Sequence, residues 1–236
     1  MGGAALFFSQ PRTRRAILSD ANARLVRTYL AVRDDVEGVI DRLGQYRYDK
    51  EQYLATRALP VDSWHDDRDV AAWFIYLNKT GFNGLYRVNK SGQFNVPFGR
   101  YTNPVICDAD RLRSCSSWLH GASILCRDFA EARVDMTQGD LAYFDPPYVP
   151  LNATSTFTSY TRNGFDMADQ VRLRDVAARL VDRGVHVVLS NSSAPAVWKL
   201  YDSDRFRIVE IQAPRSINSK ADRRGAVKEL LIMGLP

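Results

Sequence analysis

The sequence predicts an α/β protein built on an open parallel or mixed sheet. Three observations carry that reading. Short apolar runs alternate with amphipathic stretches, as strands alternate with helices in such sheets. The runs at 16–19, 123–126, 141–144 and 185–189 are each followed by a polar residue, respectively Asp20, Asp128, Asp145 and Asn191. Ligands of open α/β sheets lie beyond the carboxyl ends of their strands, so these four polar residues mark a candidate site. The alternation lapses after about residue 44 and resumes after Asp108, as in one large domain or a domain with an insertion.

Taken in order, Ala16-Ile17-Leu18-Ser19 reads as a short buried strand, and Asn22 can cap a helix running to about residue 43. A polar, tyrosine-rich stretch at 45–63 belongs to no repeat. Residues 66–78 read as a helix, with Trp73, Phe74 and Leu77 at core spacing. Residues 82–98 read as a Gly- and Asn-punctuated hairpin with Ser91-Gly92 at its tip. The alternation resumes with a helix at 110–119, strands at 123–126 and 141–144, and a helix at 169–183 carrying Leu173, Val176, Ala177, Leu180 and Val181 on one face. Strands at 185–189, 207–211 and 228–233 complete the sheet.

At 236 residues and 45% hydrophobic, the chain can bury a sizeable core. No apolar run approaches the ~18 residues of a membrane span, and the amino terminus lacks the charged-then-apolar order of a signal peptide. A soluble, intracellular protein is therefore expected. Cys107, Cys115 and Cys126 lack metal-site or disulfide spacing, and His65, His120 and His186 are scattered, so no metal is expected. The net charge of +5 becomes informative when mapped along the chain. Residues 70–107 contain no Asp or Glu; their cations Lys79, Arg87, Lys90 and Arg100 are interleaved with aromatic residues. That composition suits a polyanion with stackable bases, or else an aromatic minicore beside exposed cations.

Asp145-Pro146-Pro147-Tyr148 carries the chemistry. An amine conjugated to a purine or pyrimidine ring is a poor nucleophile, because its lone pair is delocalised. A carboxylate and a backbone carbonyl that accept hydrogen bonds from both NH2 protons draw the nitrogen toward tetrahedral geometry and aim its lone pair. Asp145 and the Pro146 carbonyl are placed to do this, in a turn stiffened by two prolines, while Tyr148 offers a π-face to the base. The alternative is a Pro-rich turn ending a strand. Asp20 lies one helix and one strand beyond Gly2-Gly3-Ala4, a spacing at which an acid bonds ribose hydroxyls in nucleotide-type folds; it can equally be a helix cap.

The tetrapeptide, the segment from Phe82 to Tyr101 (FNGLYRVNKSGQFNVPFGRY) and the tail from Arg215 through Lys228-Glu-Leu-Leu231 together resemble the DNA adenine methylase family, the D12 class of N6-adenine methyltransferases. The resemblance implies a Rossmann-like class I methyltransferase sheet at 1–44 and 119–236, with a helical and β-hairpin target-recognition domain inserted at 45–118. It implies S-adenosylmethionine as donor, double-stranded DNA as partner, a GATC-like target and a target adenine flipped onto Tyr148. Asp145, Pro146 and Tyr148 are then catalytic. Gly2, Gly3, Asp20, Asp128, Phe129 and Asp145 border the cofactor. Leu85, Arg87 and Pro97 read bases, Phe82 takes a wedge position where relatives place tyrosine, Asn83 and Asn89 contact DNA or shape the turn, Tyr101 contacts DNA, and Arg100 is a phosphate contact or solvated charge. Lys90, Arg215, Lys220, Arg223 and Arg224 are phosphate contacts or solvated charge. The implied location is cytoplasmic, with the bacterial or phage nucleoid, and a monomer is expected although the sequence leaves oligomeric state open.

Members of this family begin with a Lys-bearing segment and a strand ending in acid-Pro-Phe before the Gly-rich loop. This sequence opens at Met1-Gly2-Gly3-Ala4, inside that loop. The resemblance therefore implies a missing central strand, unpaired backbone on its neighbour and an incomplete methionine side of the cofactor pocket. A misassigned start, a truncated remnant and a compensating rearrangement would each account for it. An inactive DNA-binding remnant and a methyltransferase for another DNA or RNA sequence are the rival readings.

Overall fold

A computed structural model describes residues 1–11, 15–134, 136–151, 164–214 and 226–236. The expected tail motif at 215–219 and the cations Lys220, Arg223 and Arg224 lie outside the described residues. Internal contacts divide the chain into two compact units, Met1–Asp128 and Phe129–Pro236.

The first unit is mainly helical. After α1 (Ala5–Ser9) come β1 (Ala16–Asp20), α2 (Ala23–Asp34), α3 (Val36–Leu43), α4 (Lys50–Arg57), α5 (Asp67–Thr80), α6 (Ala109–Leu119) and β2 (Ala122–Cys126). Asn22 caps α2 as expected, accepting from the N–H groups of Arg24 and Leu25. The single helix expected to reach residue 43 is instead two. Asp35 leaves helical geometry at φ −150°, ψ 67° and starts a new helix by accepting from Gly38 N–H. The tyrosine-rich stretch, given no structure by pattern alone, contains α4, capped by Asp49. Central to the unit is α5, packed on α2 and α3, with Val70, Trp73, Tyr76 and Leu77 fully buried. Phe74, also expected in the core, is half-buried and stacks on Tyr86 with 4.9 Å between centroids.

The expected hairpin follows α5 but builds no regular strands. Its arms run antiparallel through two isolated bridges, Gly81↔Phe98 and Val88↔Phe94. Two local features explain the interruption. Residues Phe82–Gly84 form a 3-10 turn in which Asn83 adopts φ 55° and Gly84 φ 61°, and Pro97 has no N–H to give a ladder.

The second unit comprises a 3-10 turn at Phe129–Val134, then β3 (Leu141–Phe144), α7 (Met167–Asp182), β4 (His186–Ser192), α8 (Pro195–Leu200), β5 (Phe206–Pro214) and β6 (Ala226–Gly234). Its strand order is β3-β4-β6-β5, with β3 and β4 parallel and β6 antiparallel to both neighbours. A capping box at Asp166 and Asp169 starts α7. The helix buries Leu173, Val176, Ala177 and Leu180, the stripe that periodicity picked out, against Val187, Leu189, Leu230 and Ile232 of the sheet. At ~1.5–3 kcal/mol per fully buried aliphatic side chain, this face supplies much of the unit's stabilisation.

The protein is thus α/β with mixed strand pairing, but the strands expected in one sheet are hydrogen-bonded as two. One is the parallel pair β1-β2 and the other is four-stranded. Among the described residues, β1 pairs only with β2 and β3 only with β4, so no strand joins the two sheets.

Candidate active site and nucleic-acid interface

Residues 145–148 leave the carboxyl end of β3 as an irregular turn that is largely accessible. Asp145 is exposed, and one of its oxygens, Oδ1, accepts from the Ser190 hydroxyl at 2.7 Å. Ser190 accepts in turn from the Tyr143 phenol at 3.3 Å. Among the described residues, nothing in the chain donates to the other Asp145 oxygen or to the Pro146 carbonyl. The two acceptors that the chemistry needs are therefore available. Tyr148 is half-buried, its hydroxyl donating to Glu229 at 3.3 Å, and no aromatic ring among the described residues covers its face. Burial pushes the Tyr148 phenol well above its usual range, and Asp145 and Glu229 act in the same direction. The ring stays neutral and its hydroxyl a donor.

The rest of the turn is pinned from beneath. Gln170 of α7 donates to the Pro147 carbonyl at 2.8 Å. Asn191 of β4 accepts from Val149 N–H at 3.1 Å, and the Ser192 hydroxyl donates to the Val149 carbonyl at 2.5 Å. Sequence reasoning marked Asn191 as a strand-end residue but missed Gln170, Ser192 and Glu229. Gln170 carried a signal, because it falls one turn before Leu173 on the buried stripe of α7, where a polar residue needs a partner.

Asp20 ends β1 with a side chain only 8% exposed. Its Oδ2 accepts from Gly2 N–H at 3.2 Å and lies 3.1 Å from the Met1 amine, while Oδ1 accepts from Asn22 N–H at 2.9 Å. Asp20 thus closes the Gly2-Gly3 turn, and the α2 cap itself is Asn22. A carboxylate has about four acceptor positions, so one remains for a hydroxyl. Space around Gly2 and Gly3 is open, since a Cβ on either would meet nothing within 4 Å. Asp128 belongs to the same strand end: β1 and β2 are parallel with Asp20 opposite Cys126, and Arg127 N–H donates to the Asp20 carbonyl at 3.1 Å. Phe129 belongs to the second unit, where the Arg172 guanidinium lies 4.4 Å from its ring centre and Phe165 is tilted against it at 5.8 Å.

In the segment from Phe82 to Tyr101, Phe82, Leu85, Arg87, Pro97, Arg100 and Tyr101 are exposed, whereas Val88, Phe94 and Val96 are buried. Arg87 is held across the arms by Asn95, with Nε 2.8 Å from Oδ1 and Nη2 3.2 Å from the backbone carbonyl. Asn89 Oδ1 accepts from the N–H groups of Ser91 and Gln93, so its side chain builds the tip. Asn83 occupies a left-handed position that asparagine tolerates. The segment is anchored by the tyrosine-rich stretch that pattern analysis left unassigned. Tyr53 donates to the carbonyls of Val96 and Pro97, and Arg57 also donates to Val96. Tyr48 donates to the Gly99 carbonyl and accepts from Tyr101 N–H. At the tip, Arg24 of α2 donates to the Gly92 carbonyl at 2.8 Å while paired with Asp62. Gly81 at the base admits no side chain, as a Cβ would lie 2.5 Å from the Leu77 carbonyl and 2.9 Å from the Tyr53 hydroxyl.

Among the described residues, no cluster of His, Cys, Asp or Glu could hold a metal ion, and no helix is long and apolar enough to cross a membrane. Known proteins supply the remaining comparison. The chain is 42% identical to the type II methyltransferase M1.LlaDCHI of Lactococcus lactis subsp. cremoris, over 98% of this chain and 83% of that protein. It is equally 42% identical to the type II methyltransferase M.MjaIII of Methanocaldococcus jannaschii, over 98% of this chain and 85% of that protein. Identity to the DNA adenine methylase of Vibrio cholerae is 34%, over 99% of this chain and 85% of that protein. Residues 1–217 match the family described as D12 class N6 adenine-specific DNA methyltransferase. With a polar turn at the end of β3 and a matching family over most of its length, the chain belongs to the D12 class of N6 adenine-specific DNA methyltransferases.

Proposed function

We propose that this enzyme methylates N6 of adenine in a GATC-like site of duplex DNA, with S-adenosylmethionine as donor and the target base flipped out against Tyr148. The observation that carries the reading is the half-engaged Asp145. Ser190 fixes one carboxylate oxygen, and the other, with the Pro146 carbonyl, is left to accept from the two N6 protons. When bound, S-adenosylmethionine supplies an electrophilic methyl carbon on a cationic sulfur. As the methyl carbon would pass to N6 its bond to sulfur would break, leaving a neutral thioether; the positive charge gained at N6 is stabilised by the Asp145 carboxylate until one N6 proton is lost to solvent. Tyr148, neutral and with an uncovered ring face, supplies the stacking surface that an extruded adenine requires.

Asp20, Gly2 and Gly3 are assigned to the cofactor's ribose side, supported by the spare acceptor position on Asp20 and the open space at the glycines. Asp128 is assigned beside it, supported by the shared end of β1 and β2. Phe129 and Asp145 complete the cofactor assignment. Residues 45–118 are assigned to target recognition, and 1–44 with 119–236 to a Rossmann-like catalytic domain. Arg87 reads guanine while Leu85 and Pro97 meet thymine methyls, supported by their exposure and by the orientation of Arg87 against Asn95. Phe82 wedges into the stack, and Asn83, Asn89, Arg100 and Tyr101 line the DNA path. Acting on DNA, the enzyme works in the cytoplasm.

A second reading keeps the chemistry and changes the site. Both relatives at 42% identity are named type II methyltransferases, a description that fixes no single target sequence. DNA from cells expressing the protein decides between them. Resistance to a nuclease that cuts only unmethylated GATC supports the first reading. Continued sensitivity, with total N6-methyladenine increased, establishes the second.

A further inference from the structure

Gln170 and Asn191 form a directional chain of amides beneath the catalytic turn. Both are essentially inaccessible, at 0% and 1% exposure. The orientation of each amide follows from its surroundings. Val149 N–H and Ser192 N–H point at the same end of Asn191, at 3.1 and 2.9 Å, and backbone N–H groups can only donate, so that end is Oδ1. The Nδ2 end then faces Gln170 at 3.1 Å, which requires Gln170 to present Oε1 there. Gln170 Nε2 is left toward the Pro147 carbonyl at 2.8 Å, the one acceptor it meets among the described residues. Reversing either amide would set donor against donor and acceptor against acceptor in a buried site.

We propose that this pair positions the methylating turn: Gln170 and Asn191 clamp Pro147 and Val149, the residues on either side of Tyr148, and so hold Tyr148 and the Pro146 carbonyl in fixed relation to Asp145. They are positioning residues, since neither side chain reaches the reacting atoms except through the turn. The inference rests on the function proposed above. Its logic is that pinning both neighbours of Tyr148 leaves the turn few rotations, so that geometry for N6 is present before the base arrives.

The decisive variant is Gln170→Glu, which preserves side-chain volume and the acceptor for Asn191 but loses the donor to Pro147 when ionised. At about pH 8 it should lower kcat about tenfold or more while leaving KM for DNA and for S-adenosylmethionine within about twofold. Toward about pH 6 the protonated carboxyl regains an O–H donor, and activity should recover relative to wild type. Gln170→Leu should show the loss without the recovery, and the protection of the Val149 amide against hydrogen exchange should fall about tenfold or more. Wild-type kcat in the Glu variant at high pH overturns the proposal. So does a loss in that variant that ignores pH and leaves Val149 protection unchanged. A wild-type chain that methylates no adenine would refute the proposed function, whereas Val149 protection, which needs no turnover, still decides this inference.

Discussion

The turn at 145–148 and the segment at 82–101 are both irregular, yet they are held in opposite ways. The turn proposed to be catalytic is pinned by side chains that hydrogen-bond to its backbone from a buried layer, Gln170, Asn191 and Ser192. What it leaves accessible is one carboxylate oxygen, one carbonyl and one ring face. The proposed recognition segment is pinned on its second arm by Tyr48, Tyr53 and Arg57 and at its tip by Arg24, all of the helical unit. It exposes six of its proposed DNA-contacting side chains, of which Arg87 is braced by Asn95 and Tyr101 by the Gly81 carbonyl at 2.9 Å. Chemistry demands one fixed geometry for a small group, so rigidity reaches every atom. Recognition demands a positioned frame with side chains that can still settle on bases, so beyond Arg87 and Tyr101 the bracing is mostly of backbone.

The largest effect should come from Asp145→Ala. Removing the carboxylate should cost about 10³-fold in methylation rate, because the carboxylate's interaction strengthens as N6 gains charge. DNA affinity should change little, since the recognition segment is untouched. Quench-flow methylation and a filter-binding titration on the same preparation measure both, and a variant that still methylates would break the assignment. Arg87→Ala should come next. It should reduce discrimination at one base pair by about 1–3 kcal/mol, with rate on the preferred site falling less than preference itself. Equal weakening on all sequences would make Arg87 a phosphate contact and narrow the contrast between the two regions.

How far the sequence disclosed these regions depends on where their hydrogen bonds go. Strand 141–144, the α7 stripe and the Asn22 cap were all legible, as was the position of the strand at 16–19 though not its burial, which is only partial throughout, because each is written in a local period or in a residue adjacent to the backbone it satisfies. The break at Asp35 was not, because hydrophobic period continues through it and only the Asp35 carboxylate decides for two helices. Nor was the role of residues 45–63, whose tyrosines find their partners some 40 to 50 positions away, as Tyr53 does at Val96. The proposed catalytic residues were visible in a tetrapeptide. Their supports were scattered over α7, β4 and β6 and needed the fold to become neighbours.

Tyr53→Phe tests the anchoring of the recognition segment with a smaller effect. It removes a buried donor from the Val96 and Pro97 carbonyls, but Arg57 still donates to the first and Phe82 N–H to the second. The cost should therefore be about 1 kcal/mol, toward the lower end for a buried bond, and visible as a lowered thermal midpoint. The same change should alter behaviour in alkali. Burial pushes the Tyr53 and Tyr76 phenols up to about 12. In wild type their stabilisation is complete below pH ~10, where unfolded tyrosine begins to ionise, and is lost as pH rises toward 12. Tyr53→Phe should flatten part of that decline in a urea-unfolding series across pH 9–12.

The smallest effect separates two roles for Asn89. Its Oδ1 accepts from Ser91 and Gln93 N–H, and its Nδ2 donates to Gln93 Oε1 at 3.1 Å, all at an exposed tip where water can replace lost bonds. Asn89→Ala should therefore cost about 0.5 kcal/mol or a little more in stability. Asn89→Asp keeps the oxygen that receives both backbone donors, so its stability should match wild type. If Asn89 acts only by shaping the tip, the Asp variant should also keep wild-type sequence preference, with DNA affinity reduced by added negative charge and restored selectivity unaffected by salt. If the asparagine reads a base, both variants lose discrimination at the same base pair, because the lost amide donor is common to them. Competition binding with single-base substitutions distinguishes the two, and the second outcome would extend fixed side-chain geometry from the catalytic turn into the recognition segment.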